Sequence, residues 1–323
     1  MPSRESSQAI DVAASEWAAR LDRGPLSAED ELRPAIIELV DDASFEISAR
    51  DPLAGEALRD VASAGSTVYI AFAPTDTHHG ILAAAVRLKH AGFAPVPHIA
   101  ARTLASFTQL NDYLARMAGE AGIDQALVIA GDVERPVGPF ATSLDLLTTG
   151  LFEKHGIRHI AIAGYPEGHP RVSRAHLDVA LLDKCRTIRE RGLVPSVLTQ
   201  FGFEAAPIIA WLRALRAAHL DIPVRVGLAG PASIATLAKF AVRCGVGNSL
   251  RALTRGHAAV ARLLVEADPA ALVATLAAAD RGLGIAGLHF FTFGGVRRTS
   301  AWIAMVRGGA FDCMDGAGFR LRR

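Results

Sequence analysis

From about residue 33 the chain alternates short runs rich in Val and Ile with longer Ala/Leu/Arg segments whose apolar positions recur at helical spacing. This βα rhythm constrains the fold more than any other feature of the sequence. The strand candidates are SFEIS (44–48), VYIAF (68–72), PVPHI (95–99), ALVIAG (126–131), HIAIAG (159–164), SVLTQF (196–201), VRVGL (224–228) and GLHFF (287–291). Helix candidates fall between them at 78–91, 104–121, 140–155, 172–191, 205–218 and 232–244.

Eight strands, each followed by a helical segment over about 290 residues, match a (β/α)8, or TIM, barrel better than a five- or six-strand doubly wound sheet. The longest interval between strands, 246–284, reads as two helices. Residues 5–22 form an amphipathic helical segment ahead of the barrel, most simply a cap or a homo-oligomer contact. The expected layout is an N-terminal helical extension at 1–32, the catalytic barrel at 33–310 and a C-terminal tail at 311–323. No Pro/Ser-rich linker or low-complexity block divides the chain.

Composition narrows the partners. The formal charge is +1 and the Lys and Arg residues are scattered, so nothing in the sequence would attract nucleic acid or an anionic membrane. Small molecules are the expected ligands. Cys185, Cys244 and Cys313 are odd in number and lack a C-x-x-C spacing, which indicates neither a disulfide framework nor a structural metal site. The N-terminus has no continuous apolar core of a signal peptide, and no stretch of 18 apolar residues occurs, so a cytoplasmic location is expected.

A (β/α)8 barrel builds its active site at the C-terminal ends of the strands. Here those ends carry Glu46, Thr75, His98, Asp132, Tyr165 with Glu167 and His169, Gln200, Gly227 with Gly230, and His289 with Thr292. Each alone has an ordinary structural explanation: Asp132 would cap the turn in GDVERPVGP, and His98 would be a satisfied core histidine. Their convergence on one rim points to a site. His78 and His79 are adjacent rather than spaced i, i+4, so they do not form a helical metal pair. FGGVRR (293–298) offers backbone N–H groups and cations after the last strand, although a plain βα turn explains it equally well.

GYPEGHP after the fifth strand, LTQFGF at the sixth, VGLAGPAS at the seventh and HFFTF at the eighth together resemble the methylenetetrahydrofolate reductases, over about residues 44–303. The resemblance implies a (β/α)8 barrel that passes a hydride from NADH or NADPH through FAD to 5,10-methylenetetrahydrofolate, giving 5-methyltetrahydrofolate in one-carbon metabolism. On this basis Glu46 matches the acid that helps protonate folate N10, a step needed because a tertiary amine leaves poorly unless protonated. Asp132 matches the acid that contacts the pterin near the flavin. Gln200, Phe240, Thr236 and Arg297 fall at or beside folate-contacting positions, and His98, Gly131, Asp132, Tyr165, His169, Asp178 and Lys184 at or beside flavin-lining ones.

The chain also departs from the family pattern. Ala130 stands for an Arg, Cys185 beside Lys184 for a Lys, Ala71 for a Thr, Thr236 for a Gln and Gly295 for an Arg. Each lost charge-assisted hydrogen bond costs about 1.5–3 kcal/mol of binding. These departures motivate two alternatives: direct hydride transfer from the nicotinamide to folate without flavin, and a folate-binding regulatory protein without turnover. An acid retained at Glu46 speaks against the second.

Overall fold

The computed structural model describes residues 29–51, 54–59, 62–244, 246, 266–279, 281–314 and 318–322. The amphipathic segment at 5–22 and one of the two helices expected within 246–284 lie outside them. Eight parallel strands close into a barrel: β1 (Ser44–Ser48), β2 (Thr67–Ala71), β3 (Ala94–Ala100), β4 (Gln125–Ile129), β5 (His159–Gly164), β6 (Val194–Thr199), β7 (Val224–Ala229) and β8 (Ile285–Phe291). They pair in sequence order, and β8 closes on β1 through Ser44↔His289 and Glu46↔Phe291. The (β/α)8 fold is therefore as expected, with each strand within two residues of its predicted bounds.

Strand alternation explains the two cores. Successive side chains point to opposite faces, so Phe45, Ile47, Val68, Ile70, Ile99, Val128, Ile160, Ile162, Val226 and Phe290 face the helices in one large cluster. The residues between them face the axis, where Tyr69, Val96, Leu127, Ala161 and Leu198 form an interior layer. At the N-terminal end of the barrel, Arg225 reaches Asp42, donating to its backbone carbonyl at 2.6 Å and its carboxylate at 2.8 Å.

Four of the surrounding helices begin at a Ser or Thr whose side chain caps them. Thr77 accepts from Gly80 N at the start of α3 (His78–His90), and Ser106 accepts from Gln109 N at the start of α4 (Phe107–Ala121). Each such cap contributes about 1 kcal/mol. These two follow α1 (Glu29–Asp41) and α2 (Ala54–Arg59). The helix expected at 140–155 is instead two short ones, α5 (Ser143–Leu147) and α6 (Leu151–Lys154). The break falls where Thr148 and Thr149 turn their hydroxyls back onto Asp145 O and Leu146 O, a side-chain competition that weakens helix continuation. The remaining helices are α7 (Arg174–Glu190), α8 (Ala205–Ala217), α9 (Ile234–Cys244), α10 (Ala270–Ala277) and α11 (Val296–Arg307).

Helix α1 crosses the boundary expected at residue 33, and it buries Ala35, Ile36 and Val40 in the main core. Glu38 lies on this helix, and the acid on the first strand is Glu46. The tail forms a hairpin of β9 (Phe311–Met314) and β10 (Gly318–Leu321). Phe311 and Phe319 are buried with their ring centroids 4.7 Å apart, and Arg33 covers Phe311 at 4.6 Å. Gly119 stands exposed in α4 with open space where a Cβ would go. Gly119→Ala is expected to stabilise the protein by about 0.5–1 kcal/mol in chemical denaturation, because alanine loses less backbone entropy on helix formation.

Candidate active site

Ser44 and Glu46 are two apart on β1 and so share its inner face. The same alternation turns His98 of β3 and His289 of β8 inward. The Glu46 Oε2 atom lies 3.4 Å from His98 Nε2 and 3.9 Å from His289 Nε2. The Glu46 side chain is 15% exposed and that of His289 is 0% exposed, so the carboxyl can be reached from the rim while the imidazole beneath it cannot. Tyr69 packs edge-on against His289 at 4.8 Å and His98 at 6.3 Å. Thr292 donates to Glu46 O at 2.7 Å and ties the end of β8 to β1.

Burial governs the protonation of this cluster, because each group loses hydration when charged. It raises the Glu46 carboxyl above the usual carboxylate range, against the opposing pull of His98. It lowers His98, against Glu46, and lowers His289 to about 3 with help from the positive charge of Arg225. Burial therefore favours the protonated form of the carboxyl and the neutral form of both imidazoles. Among the described residues, no group of three or more His, Cys, Asp and Glu side chains has an arrangement that could hold a metal ion.

Above Glu46, one side of the mouth is aromatic. Phe240 stacks on Phe293 with centroids 4.0 Å apart and planes at 14°, and Phe201, Phe203 and Phe291 join them in a third apolar cluster. These rings come from β8, α9 and the loops after β6 and β8, so they meet only once the barrel closes. Gln200 lies at the base of this wall, its Oε1 accepting from Phe201 N at 3.1 Å. Thr236 bonds Ser233 Oγ at 2.9 Å in the first turn of α9, and Arg297 is exposed in the first turn of α11.

Beside this wall the rim is polar. Asp132 is exposed in the loop after β4, close enough for its charge to raise the Tyr165 phenol and the Cys244 thiol, each already raised by burial, and to oppose the burial that lowers His169. Tyr165 and His169 pack edge-on at 5.2 Å. Gly131 crosses β3 so closely that a Cβ would stand 3.1 Å from that of Ala100. Cys244 also feels Glu46 and is pushed up to about 11, chiefly by burial. It joins the site although no spacing in the sequence singled it out.

The structure brings together Glu46, His98, Asp132, Tyr165, His169, Gln200, Phe240 and His289, and adds Ser44, Tyr69, Cys244 and Phe293. It does not bring Lys184 to the rim. That residue is ten positions along α7, about 15 Å from its start at 1.5 Å per residue, beside Cys185, which is buried. Asp178 is exposed and 3.9 Å from Arg174. Arg174 itself donates to Tyr165 O at 3.0 Å and Pro166 O at 2.5 Å.

The diphosphate of FAD would need cations on this stretch. The positions following Asp178 on its face of α7 are Leu181, Leu182 and Cys185, and the Arg174 guanidinium is held by backbone carbonyls. These residues of α7 do not fit that group.

No family model matches the chain. Among solved structures, the 3-dehydroquinate dehydratase from Geobacillus kaustophilus HTA426 is similar over 82% of this chain and 89% of its own, at 13% identity and a TM-score of 0.43. An oxaloacetate acetylhydrolase is similar over 83% of this chain and 82% of its own, at 10% identity and a TM-score of 0.46. Neither likeness bears on the chemistry of the site. Among the described residues no helix is long and apolar enough to cross a membrane.

Proposed function

We propose that the protein is an oxidoreductase that interconverts 5,10-methylenetetrahydrofolate and 5-methyltetrahydrofolate, with NADH or NADPH as the hydride donor and no flavin between donor and folate. The observation that carries this reading is Glu46, a buried carboxyl with a raised pKa, 3.4 Å from His98 at the bottom of a half-aromatic mouth. Breaking the methylene–N10 bond of the folate leaves an electron pair on N10. Glu46 supplies the proton that neutralises it, and the iminium formed at N5 accepts the hydride on its methylene carbon.

The other residues bind and shield. The Phe240–Phe293 stack offers a flat apolar wall to a pterin ring, and Gln200 offers an amide for its polar edge. The wall also excludes water from the iminium, which would otherwise be hydrolysed. Asp132, on the polar part of the rim, offers its carboxylate to the pterin's N–H groups.

Two measurements test the reading. Mixing the purified protein with NADH or NADPH and methylenetetrahydrofolate should oxidise the nicotinamide with formation of methyltetrahydrofolate. No oxidation with either nicotinamide would reject the enzyme. The visible spectrum should show no retained flavin after incubation with FAD and gel filtration, with activity unchanged. Bound flavin together with FAD-dependent turnover would instead restore the cofactor that the family resemblance implies.

A further inference from the structure

We propose that Ser44 and His289 are positioning residues for Glu46: the serine hydroxyl fixes the imidazole so that its bare Nε2 faces the carboxyl and holds it in the protonated, proton-donating form. This rests on the reading of Glu46 as the acid. Ser44 and His289 are direct partners in the β1–β8 register. Ser44 Oγ lies 3.3 Å from Leu288 O, which can only accept, and 2.9 Å from His289 Nδ1. With the hydroxyl donating to Leu288 O, its lone pairs receive the proton on Nδ1. A neutral imidazole carrying its proton on Nδ1 presents an unprotonated Nε2.

That Nε2 atom is buried, has no hydrogen-bond partner among the described residues and faces Glu46 Oε2 at 3.9 Å. A lone pair aimed at a carboxylate repels it, whereas one aimed at a carboxylic O–H attracts it, so the orientation favours the acid form. The other titratable groups facing this point are Tyr69 from β2, His98 from β3 and Cys244 from α9. Arg225 of β7 and Asp42 carry charge but are paired with each other at 2.8 Å. The remaining influence on the Glu46 proton from β8 is therefore His289, and its orientation depends on Ser44.

The test reads the proton directly. Difference infrared spectroscopy of the full chain, without substrate, follows the carboxylic C=O band that Glu46→Gln removes. In Ser44→Ala and in His289→Gln, whose amide can donate to a carboxylate, the midpoint of that band is expected to fall by about one pH unit, a tenfold change in protonated fraction. Ser44→Thr, which keeps the hydroxyl, should restore it. The high-pH limit of folate turnover should move with the midpoint. An unchanged midpoint in folded Ser44→Ala or His289→Gln overturns the proposal. A shifted midpoint with no turnover in any protein, wild type included, upholds the positioning and rejects the folate reading.

Discussion

Glu46→Gln is expected to lower folate turnover by about 10²–10⁴-fold, the usual worth of a positioned general acid, in nicotinamide oxidation by methylenetetrahydrofolate. The substitution keeps the shape of the side chain and removes only its ability to give up a proton. It also removes a buried acid, so the thermal midpoint should not fall with the rate. The loss should be equal in the direction from methyl- to methylenetetrahydrofolate, because one transition state serves both directions. There the carboxylate recovers the N10 proton as the five-membered ring closes. Turnover within a few-fold of wild type would remove Glu46 from the chemistry and, with it, the observation on which the folate assignment stands.

The barrel could be read from the sequence because its strands and helices have different periods. Runs such as HIAIAG and VRVGL are short, and the segments between them repeat their apolar residues every three to four positions. The chain departs from this reading where local hydrogen bonding competes with periodicity. Thr148 and Thr149 interrupt an otherwise helical pattern at 140–155, and no hydropathy count registers a hydroxyl that bonds back to the preceding turn. Helix α1 contains Pro34, and a proline inside a periodic segment reads as a boundary. The division expected at residue 33 falls inside that helix.

The site was legible in outline only. Polar residues at strand ends mark a rim, and Glu46 and His98 stand out because each interrupts an apolar strand. Their meeting at 3.4 Å depends on barrel closure and strand stagger, neither of which a linear pattern contains. Ser44 and His289 show why: they are 245 positions apart, and only the β1–β8 register makes them neighbours. The aromatic wall is hidden in the same way, since its five phenylalanines come from different elements. Lys184 is the converse case. Six positions separate it from Asp178, about 240° around a helix at 100° per residue, so the two could not share a face, and helical spacing alone argued against placing both beside one ligand.

Gly227→Ala is expected to cost about 3 kcal/mol or more, the upper end of overpacking effects, and to lower the thermal midpoint by roughly 6–12 °C at 2–4 °C per kcal/mol. Gly227 faces the barrel axis on β7, where an added Cβ would stand 2.4 Å from Thr199 O and 2.8 Å from Phe291 Cε2. The first neighbour is backbone, fixed further by Gly227 N, which donates to Thr199 Oγ1 at 2.8 Å. Relief therefore requires moving the end of β6, which carries Gln200, or the Phe291 ring of the aromatic wall. Folded Gly227→Ala protein should consequently lose folate affinity as well as stability, seen as a raised KM for the folate. Gly119→Ala makes the same chemical change with the opposite expected sign, because there the new methyl meets nothing. An unaltered midpoint for Gly227→Ala would mean that the ends of β6 and β7 separate freely, and the rim would then lack the rigidity that holding Gln200 and the phenylalanine wall in register demands.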